Sequence, residues 1–126
     1  MSTRPRAITL IGWLFIAVGG AGIARALWDV LAAAAAGRSQ LEATLLELGI
    51  MIASGIVAVL GGALLLRGSA WGRWLLLLWM AFHIVISALD DRVRLAMHVV
   101  LFGAVVYFLL RAEASAYLKR PRPETE

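Results

Sequence analysis

The sequence predicts an all-α polytopic membrane protein, a bundle of four antiparallel transmembrane helices. Two observations predict this fold class. Hydrophobic residues make up 62% of the 126 residues, whereas soluble domains are about 45–50% apolar. The apolar residues also form four runs, each near the ~20 residues that cross ~30 Å of hydrocarbon. A soluble chain of this length has too small a core for so much apolar surface, but lipid can cover what the core does not.

The four predicted spans are separated by short polar or glycine-containing connections, so neighbouring helices are expected to be antiparallel. Ser39 and Glu42 have the spacing of a capping box and are expected to open the second helix. Ser69 is expected to cap the third helix, and Asp90 or Asp91 the fourth. The predicted spans are residues 7–31, 46–66, 71–89 and 93–111.

A single domain is expected, covering residues 1–120. No helix-breaking residue follows the fourth connection until Pro121, so the fourth helix is expected to continue to that point. Residues 121–126 are polar and proline-containing, which predicts a disordered cytoplasmic tail. The basic start of the chain resembles a signal peptide, but the apolar run after it is too long, so it is interpreted as an uncleaved first span.

Basic residues are divided unequally between the two predicted ends of the bundle. Cytoplasmic loops carry an excess of Lys and Arg, so the sequence predicts an inner-membrane protein with both termini in the cytoplasm. The net charge of +4 is explained by this orientation, and no nucleic-acid partner is predicted. The cytoplasmic group is Arg4, Arg6, Arg67, Arg73, Arg111, Lys119, Arg120 and Arg122, and the outer group is Arg25, Arg38, Arg92 and Arg94.

Small residues at four-residue spacing predict close helix packing, because they allow helix backbones to approach each other in lipid. This packing can lie within the bundle or at a partner subunit. It favours a structural or accessory protein that associates with itself as a homo-oligomer or with a larger membrane complex. The predicted packing residues are Gly12, Gly19, Gly49, Ala53, Ser54, Ala58 and Gly62.

The two histidines, His83 and His98, are equally distant from the turn at Asp90 and Asp91. In a straight hairpin both would lie about 11 Å below that turn. Polar residues within apolar spans are often functional, so these positions predict an outward-facing polar cleft. The candidate cleft residues are His83, His98, Ser87, Arg25, Asp29, Glu47, Asp91 and Arg94.

Several interpretations of this cleft stay open. The charged residues can simply be solvated at headgroup depth, and each histidine can be satisfied by a serine or a carbonyl. Alternatively, His83 and His98 can form a proton or solute site, hold haem b axially, or bind a transition metal with Asp91, Glu47 or Asp29. No cofactor is predicted outright. The chain has no cysteine, which excludes thiolate metal sites and thiol redox chemistry.

Three stretches carry a family resemblance. They are residues 65–75, the run from Trp79 to His83, and the run from Tyr107 to Arg111. With them the chain resembles uncharacterised bacterial small four-helix integral membrane proteins. The resemblance implies architecture only and assigns no residue a role. Enzymatic activity is not predicted, since Ser87 has His83 nearby but no recognisable nucleophile elbow or oxyanion loop.

Overall fold

A computed structural model describes residues 4–119, without the side chains of Gln40 and Ala43. Within that range the chain is all-helical and has no strand. Four of its helices are long and apolar enough to span a membrane. This confirms the predicted all-α class and the four candidate spans. The predicted tail, 121–126, lies outside the described residues. The helices are α1 (Arg6–Ala36), α2 (Arg38–Leu66), α3 (Ala70–Asp90), α4 (Arg92–Leu110) and α5 (Ala112–Leu118).

A single glycine connects α1 to α2. Gly37 has a φ of 122°, a conformation that side chains with a Cβ rarely adopt, and it lets the chain reverse within one residue. Helix α2 therefore begins at Arg38, and no side chain caps it. The predicted capping box is wrong because Ser39 already lies inside the helix.

The connection between α3 and α4 is also one residue long. The carboxylate of Asp91 accepts a hydrogen bond from the backbone N–H of Val93 at 3.0 Å, and so caps α4 as predicted. Ser69 precedes α3, but its side chain makes no capping hydrogen bond.

The prediction that the fourth helix is unbroken up to the tail is wrong. Arg111 has a φ of −56° and a ψ of 150°, which ends α4 and allows α5 to turn back. The Ser115 hydroxyl then donates to the carbonyl of Leu110 at 3.4 Å. The turn buries Ala114 and Leu118 in the core. Burying these two side chains gives a physical reason for the break, since apolar burial stabilises the folded chain.

Helices α1 and α2 pack with their backbones in close contact through glycines. A Cβ added at Gly12 would lie 2.6 Å from the Leu66 side chain and 3.2 Å from the carbonyl oxygen of Gly62. A Cβ at Gly19 would lie 2.6 Å from the carbonyl oxygen of Gly55. At Gly19 the closest atom is backbone, so a side chain there would require separation of the two helices, whereas at Gly12 the Leu66 side chain would have to move.

Helices α2 and α3 cross at a second pair of glycines, Gly61 and Gly72. A Cβ at Gly72 would lie 2.5 Å from the backbone nitrogen of Leu65, and one at Gly61 would lie 2.5 Å from the side chain of Leu76. This crossing sets the rotation of α3 relative to α2.

The core fills the end of the bundle where the start of α1, the α2–α3 connection and α5 meet. Helix α4 is the least buried of the four long helices, since only 11% of its most apolar segment is buried inside the bundle. The opposite half of the bundle is less completely filled and contains a pocket lined by residues of all four long helices. The core residues are Ile8, Ile11, Phe15, Ala58, Leu65, Leu76, Met80, Val105, Leu109, Ala114 and Leu118.

Candidate functional site

All four long helices contribute to a pocket of about 260 Å³ in the half of the bundle nearest the α3–α4 connection. Both histidines line it, together with small residues that leave room between the helices. The lining residues are Val18, Gly19, Gly22, Met51, Ser54, Gly55, Trp79, His83 and His98.

The two imidazole rings of His83 and His98 are neighbours in this pocket. Their centroids lie 6.0 Å apart, and their planes are inclined by 36°. The sequence predicted a common depth for the two residues but left open which way they face. The helix rotations bring both rings to the same pocket.

A hydrogen-bond network joins α2 and α3 beside the rings. The indole N–H of Trp79 donates to both the carbonyl oxygen and the hydroxyl oxygen of Ser54, each at 2.9 Å. The Ser54 hydroxyl lies 3.3 Å from Nε2 of His83. The Trp79 ring in turn packs against the His83 ring, with centroids 4.0 Å apart. This network holds the His83 ring in a defined orientation.

The backbone determines the tautomer of His83. Its Nδ1 lies 3.0 Å from the carbonyl oxygen of Trp79. A carbonyl oxygen can only accept, so Nδ1 carries the proton and Nε2 carries a lone pair. That lone pair accepts the hydrogen bond of the Ser54 hydroxyl.

His98 is held in the same way. Its Nδ1 lies 2.8 Å from the carbonyl oxygen of Arg94 and 3.0 Å from the buried hydroxyl of Ser87. The same rule places the proton on Nδ1, shared between the two oxygens. Within the described part of the chain, no protein group donates to its Nε2, so this nitrogen presents a lone pair.

The predicted charged members of the cleft lie elsewhere. Arg25 pairs with Asp29 at 3.0 Å on the surface of α1. Arg94 pairs with Asp90. Glu47 and Asp91 are exposed, and Asp91 is engaged in capping α4. None of the predicted charged cleft residues lines the pocket.

The predicted packing residues separate into three groups. Gly12, Gly19, Ala58 and Gly62 lie where α1 meets α2. Gly49 and Ala53 are exposed. Ser54 forms hydrogen bonds with Trp79 and His83 on α3.

Sequence reasoning did not assign Trp79 or Met51 to the site. One helical signal could have identified Trp79, which lies four residues before His83 and therefore on the same face of α3. Met51 lies three residues before Ser54 on α2, but an apolar methionine in an apolar span carries no distinguishing signal.

The pocket does not fit a haem. Its volume of about 260 Å³ is below the ~300–1,000 Å³ typical of ligand pockets. Across residues 4–119, no group of three or more His, Cys, Asp or Glu side chains is arranged to hold a metal. A metal in this pocket would therefore need a ligand of another type.

A second polar feature lies at the opposite end of the bundle. Arg73 is buried, and its Nη1 donates to the Ser115 hydroxyl at 3.2 Å. Its guanidinium carbon lies 5.3 Å from the centroid of the Trp74 ring. Among the residues that the structure describes, Nε of Arg73 has no hydrogen-bond partner.

The fold and this pocket define a helical protein with four candidate membrane spans and an interhelical histidine pair. No family model, curated protein or solved structure matches the chain.

Proposed function

We propose that the chain is an inner-membrane protein with four antiparallel spans and both termini in the cytoplasm. Gly12 lies beside Gly62, and Gly19, seven residues later in α1, lies beside Gly55, seven residues earlier in α2. The two helices therefore run in opposite directions. This supports antiparallel packing of the first two helices. Arg4 donates a hydrogen bond to the Tyr117 hydroxyl, so the basic start and the basic end of the chain lie on the same side of the bundle. An excess of basic residues is expected on the cytoplasmic side.

In this membrane protein the histidine pocket binds a small cation. The observation that carries this function is the common arrangement of the two imidazoles. Each Nδ1–H donates to the carbonyl four residues earlier in its own helix. Each Nε2 is thereby left as a lone-pair donor, and the two rings are 6.0 Å apart. Metal-binding histidines are commonly oriented by such an Nδ1–H bond.

The electrostatics of the pocket favour a cation over an anion. The two arginines predicted for the cleft, Arg25 and Arg94, are engaged in surface ion pairs with carboxylates. The lone pairs of the two Nε2 atoms, of which that of His83 accepts from the Ser54 hydroxyl, attract a Lewis acid and repel an anion. A catalytic role is not proposed.

Imidazole ¹⁵N resonances of the full-length protein in detergent provide the test. The chain has two histidines, so histidine-selective labelling gives two assignable rings. Titration with Zn²⁺, Ni²⁺ and Cu⁺ should shift the Nε2 signals of both His83 and His98 together for at least one cation. The Nδ1 signals should retain the signature of a protonated nitrogen. If no cation moves either Nε2 signal, the proposed function is wrong.

A second candidate is the structural or accessory role, in which the chain associates with a second copy through α4. The observation that favours it is the low burial of α4. Gly103 has open space around it and lies beside the exposed Ala104. Gly103→Leu should abolish cross-linked dimers in membranes, while Gly20→Leu, at another open glycine, should not. Equal cross-linking in both variants would count against association through α4.

A further inference from the structure

We infer that the cation bound in the histidine pocket is soft and monovalent, namely Cu⁺. Its ligands are Nε2 of His83, Nε2 of His98 and the thioether sulfur of Met51. This inference rests on the proposed function and adds the identity of the ion and a third ligand on α2.

The separation of the rings fits one shared metal ion. A metal–imidazole bond is about 2.0 Å and a ring nitrogen lies about 1.2 Å from its centroid, so two rings on one ion have centroids roughly 5–6.4 Å apart. The observed separation is 6.0 Å. This value corresponds to a wide angle at the metal of roughly 140°, which leaves a side of the ion open for a third ligand.

Met51 is a lining residue of the same pocket and supplies the third donor. Thioether sulfur is a soft ligand that selects Cu⁺ over hard divalent ions, and imidazole also binds copper. The three donors come from α2, α3 and α4, so the ion would connect three helices.

The charge of the pocket favours a monovalent ion. No carboxylate lines it, and Asp29 and Asp91 are engaged elsewhere. All three proposed ligands are neutral. The Born cost of placing an ion in a medium of low dielectric constant rises with the square of its charge, so a divalent ion costs about four times as much as a monovalent one of similar size.

Among the residues that the structure describes, Ser54 is the side chain that contacts Nε2 of His83, the proposed coordination position. The hydroxyl would have to release Nε2 when the metal binds. A serine within a helix can donate to the carbonyl four residues earlier, so Ser54 can turn its proton towards Ile50. The Trp79 N–H can still donate to the Ser54 carbonyl, which it already contacts.

The test is Cu⁺ binding by the purified full-length protein in detergent, in competition with a chromophoric Cu⁺ chelator under anaerobic conditions. The wild type should bind one Cu⁺ per chain. His98→Ala and Met51→Leu should each weaken binding at least about tenfold, since disturbing a metal's surroundings typically costs 10–100-fold in affinity. Met97→Leu is the matched control, because Met97 is an exposed methionine of α4 and should bind normally.

X-ray absorption of the copper complex provides a second measurement that does not depend on affinity. The wild type should show one sulfur neighbour at about 2.3 Å, and Met51→Leu should lose it while retaining the nitrogen neighbours. Circular dichroism of each variant establishes that its helices are intact.

The outcomes separate the inference from the proposed function. Equal Cu⁺ affinity and an unchanged spectrum in Met51→Leu would overturn the thioether ligand. Histidine-dependent binding of Zn²⁺ that is tighter than that of Cu⁺ would overturn the soft monovalent ion but support a cation site. If neither histidine responds to any cation, both the inference and the proposed function are wrong.

Discussion

At the scale of single residues, Ser54 links helices α2 and α3. Its hydroxyl lies 3.3 Å from Nε2 of His83, and its hydroxyl and carbonyl oxygens both accept from Trp79. Polar side chains in an apolar span are costly unless they are paired. The pairing in this network therefore explains how His83 and Trp79 are accommodated halfway along an apolar helix.

Ser54→Ala should lower the free energy of unfolding by about 1 kcal/mol, because it removes hydrogen bonds of ordinary strength between helices. Unfolding in mixed micelles, followed by circular dichroism, measures this change. Ser39→Ala alters an exposed serine of the same helix and should change stability by less than about 0.5 kcal/mol. Equal stability of Ser54→Ala and the wild type would mean that the network contributes no net energy.

Arg73 shows the opposite situation, a buried polar group that is only partly satisfied. Its Nη1 donates to Ser115, but its Nε is buried without a partner among residues 4–119. Leaving a buried donor unpaired costs about 1–3 kcal/mol, more than one ordinary hydrogen bond returns.

We expect Arg73→Met to be as stable as the wild type or more stable by about 1 kcal/mol, because it removes the unpaired charge and keeps the length of the side chain. The same unfolding assay measures this effect. Arg92→Met, at an exposed arginine, should be neutral. A loss of several kcal/mol in Arg73→Met would show that the guanidinium makes a stabilising interaction beyond its contacts with Ser115 and Trp74.

At the scale of helices, the close approach of α1 and α2 depends on which face of α1 carries each glycine. Gly19 faces α2, where an added Cβ would lie 2.6 Å from the carbonyl oxygen of Gly55. The adjacent Gly20 has nothing within 4 Å of its added Cβ. Two neighbouring glycines therefore have different roles, and the pair provides a matched test of the packing.

Gly19→Ala should destabilise the bundle by about 1–3 kcal/mol, since the backbones must move apart to admit a methyl group. Gly20→Ala should be neutral or stabilising by up to about 1 kcal/mol, because alanine is the better helix former and has room. Thermal unfolding of both variants in detergent makes the comparison. If both variants lose stability equally, the rotation of α1 that places Gly19 against α2 is wrong.

At the scale of the whole molecule, the two ends of the bundle differ in charge and in packing. The core, Arg73 and helix α5 lie at the end that also holds Arg4 and Lys119. The histidine pocket lies nearer the other end. If the positive end is cytoplasmic, the pocket lies in the outer half of the membrane.

Labelling of single cysteines tests this orientation, because the chain has no native cysteine. Ser39→Cys and Glu113→Cys replace exposed residues at opposite ends. A membrane-impermeant thiol reagent applied to intact spheroplasts should label Ser39→Cys, and should label Glu113→Cys only after lysis. The reverse pattern would invert the proposed topology and place the pocket on the cytoplasmic side.

Some of this architecture is already present in the amino-acid order. The length and apolar character of a segment are local properties, so the four candidate spans and the all-helical class follow directly from the sequence. The depth of His83 and His98 also follows, because rise per residue along a helix is constant. The capping role of Asp91 is similarly local and was predicted for the α3–α4 turn.

The composition of the pocket could not be derived in this way. Depth along a helix says nothing about which direction a side chain points, and that direction is set by contacts such as the crossing of Gly61 and Gly72. Those contacts turn His83 towards Ser54 and His98, and they place Met51 at the same pocket. The break at Arg111 has the same origin. It lets α5 contact core residues that are distant in sequence, and these contacts favour the turn. Spacing along the chain therefore establishes depth, while helix rotation, a property of packing between distant residues, establishes the site.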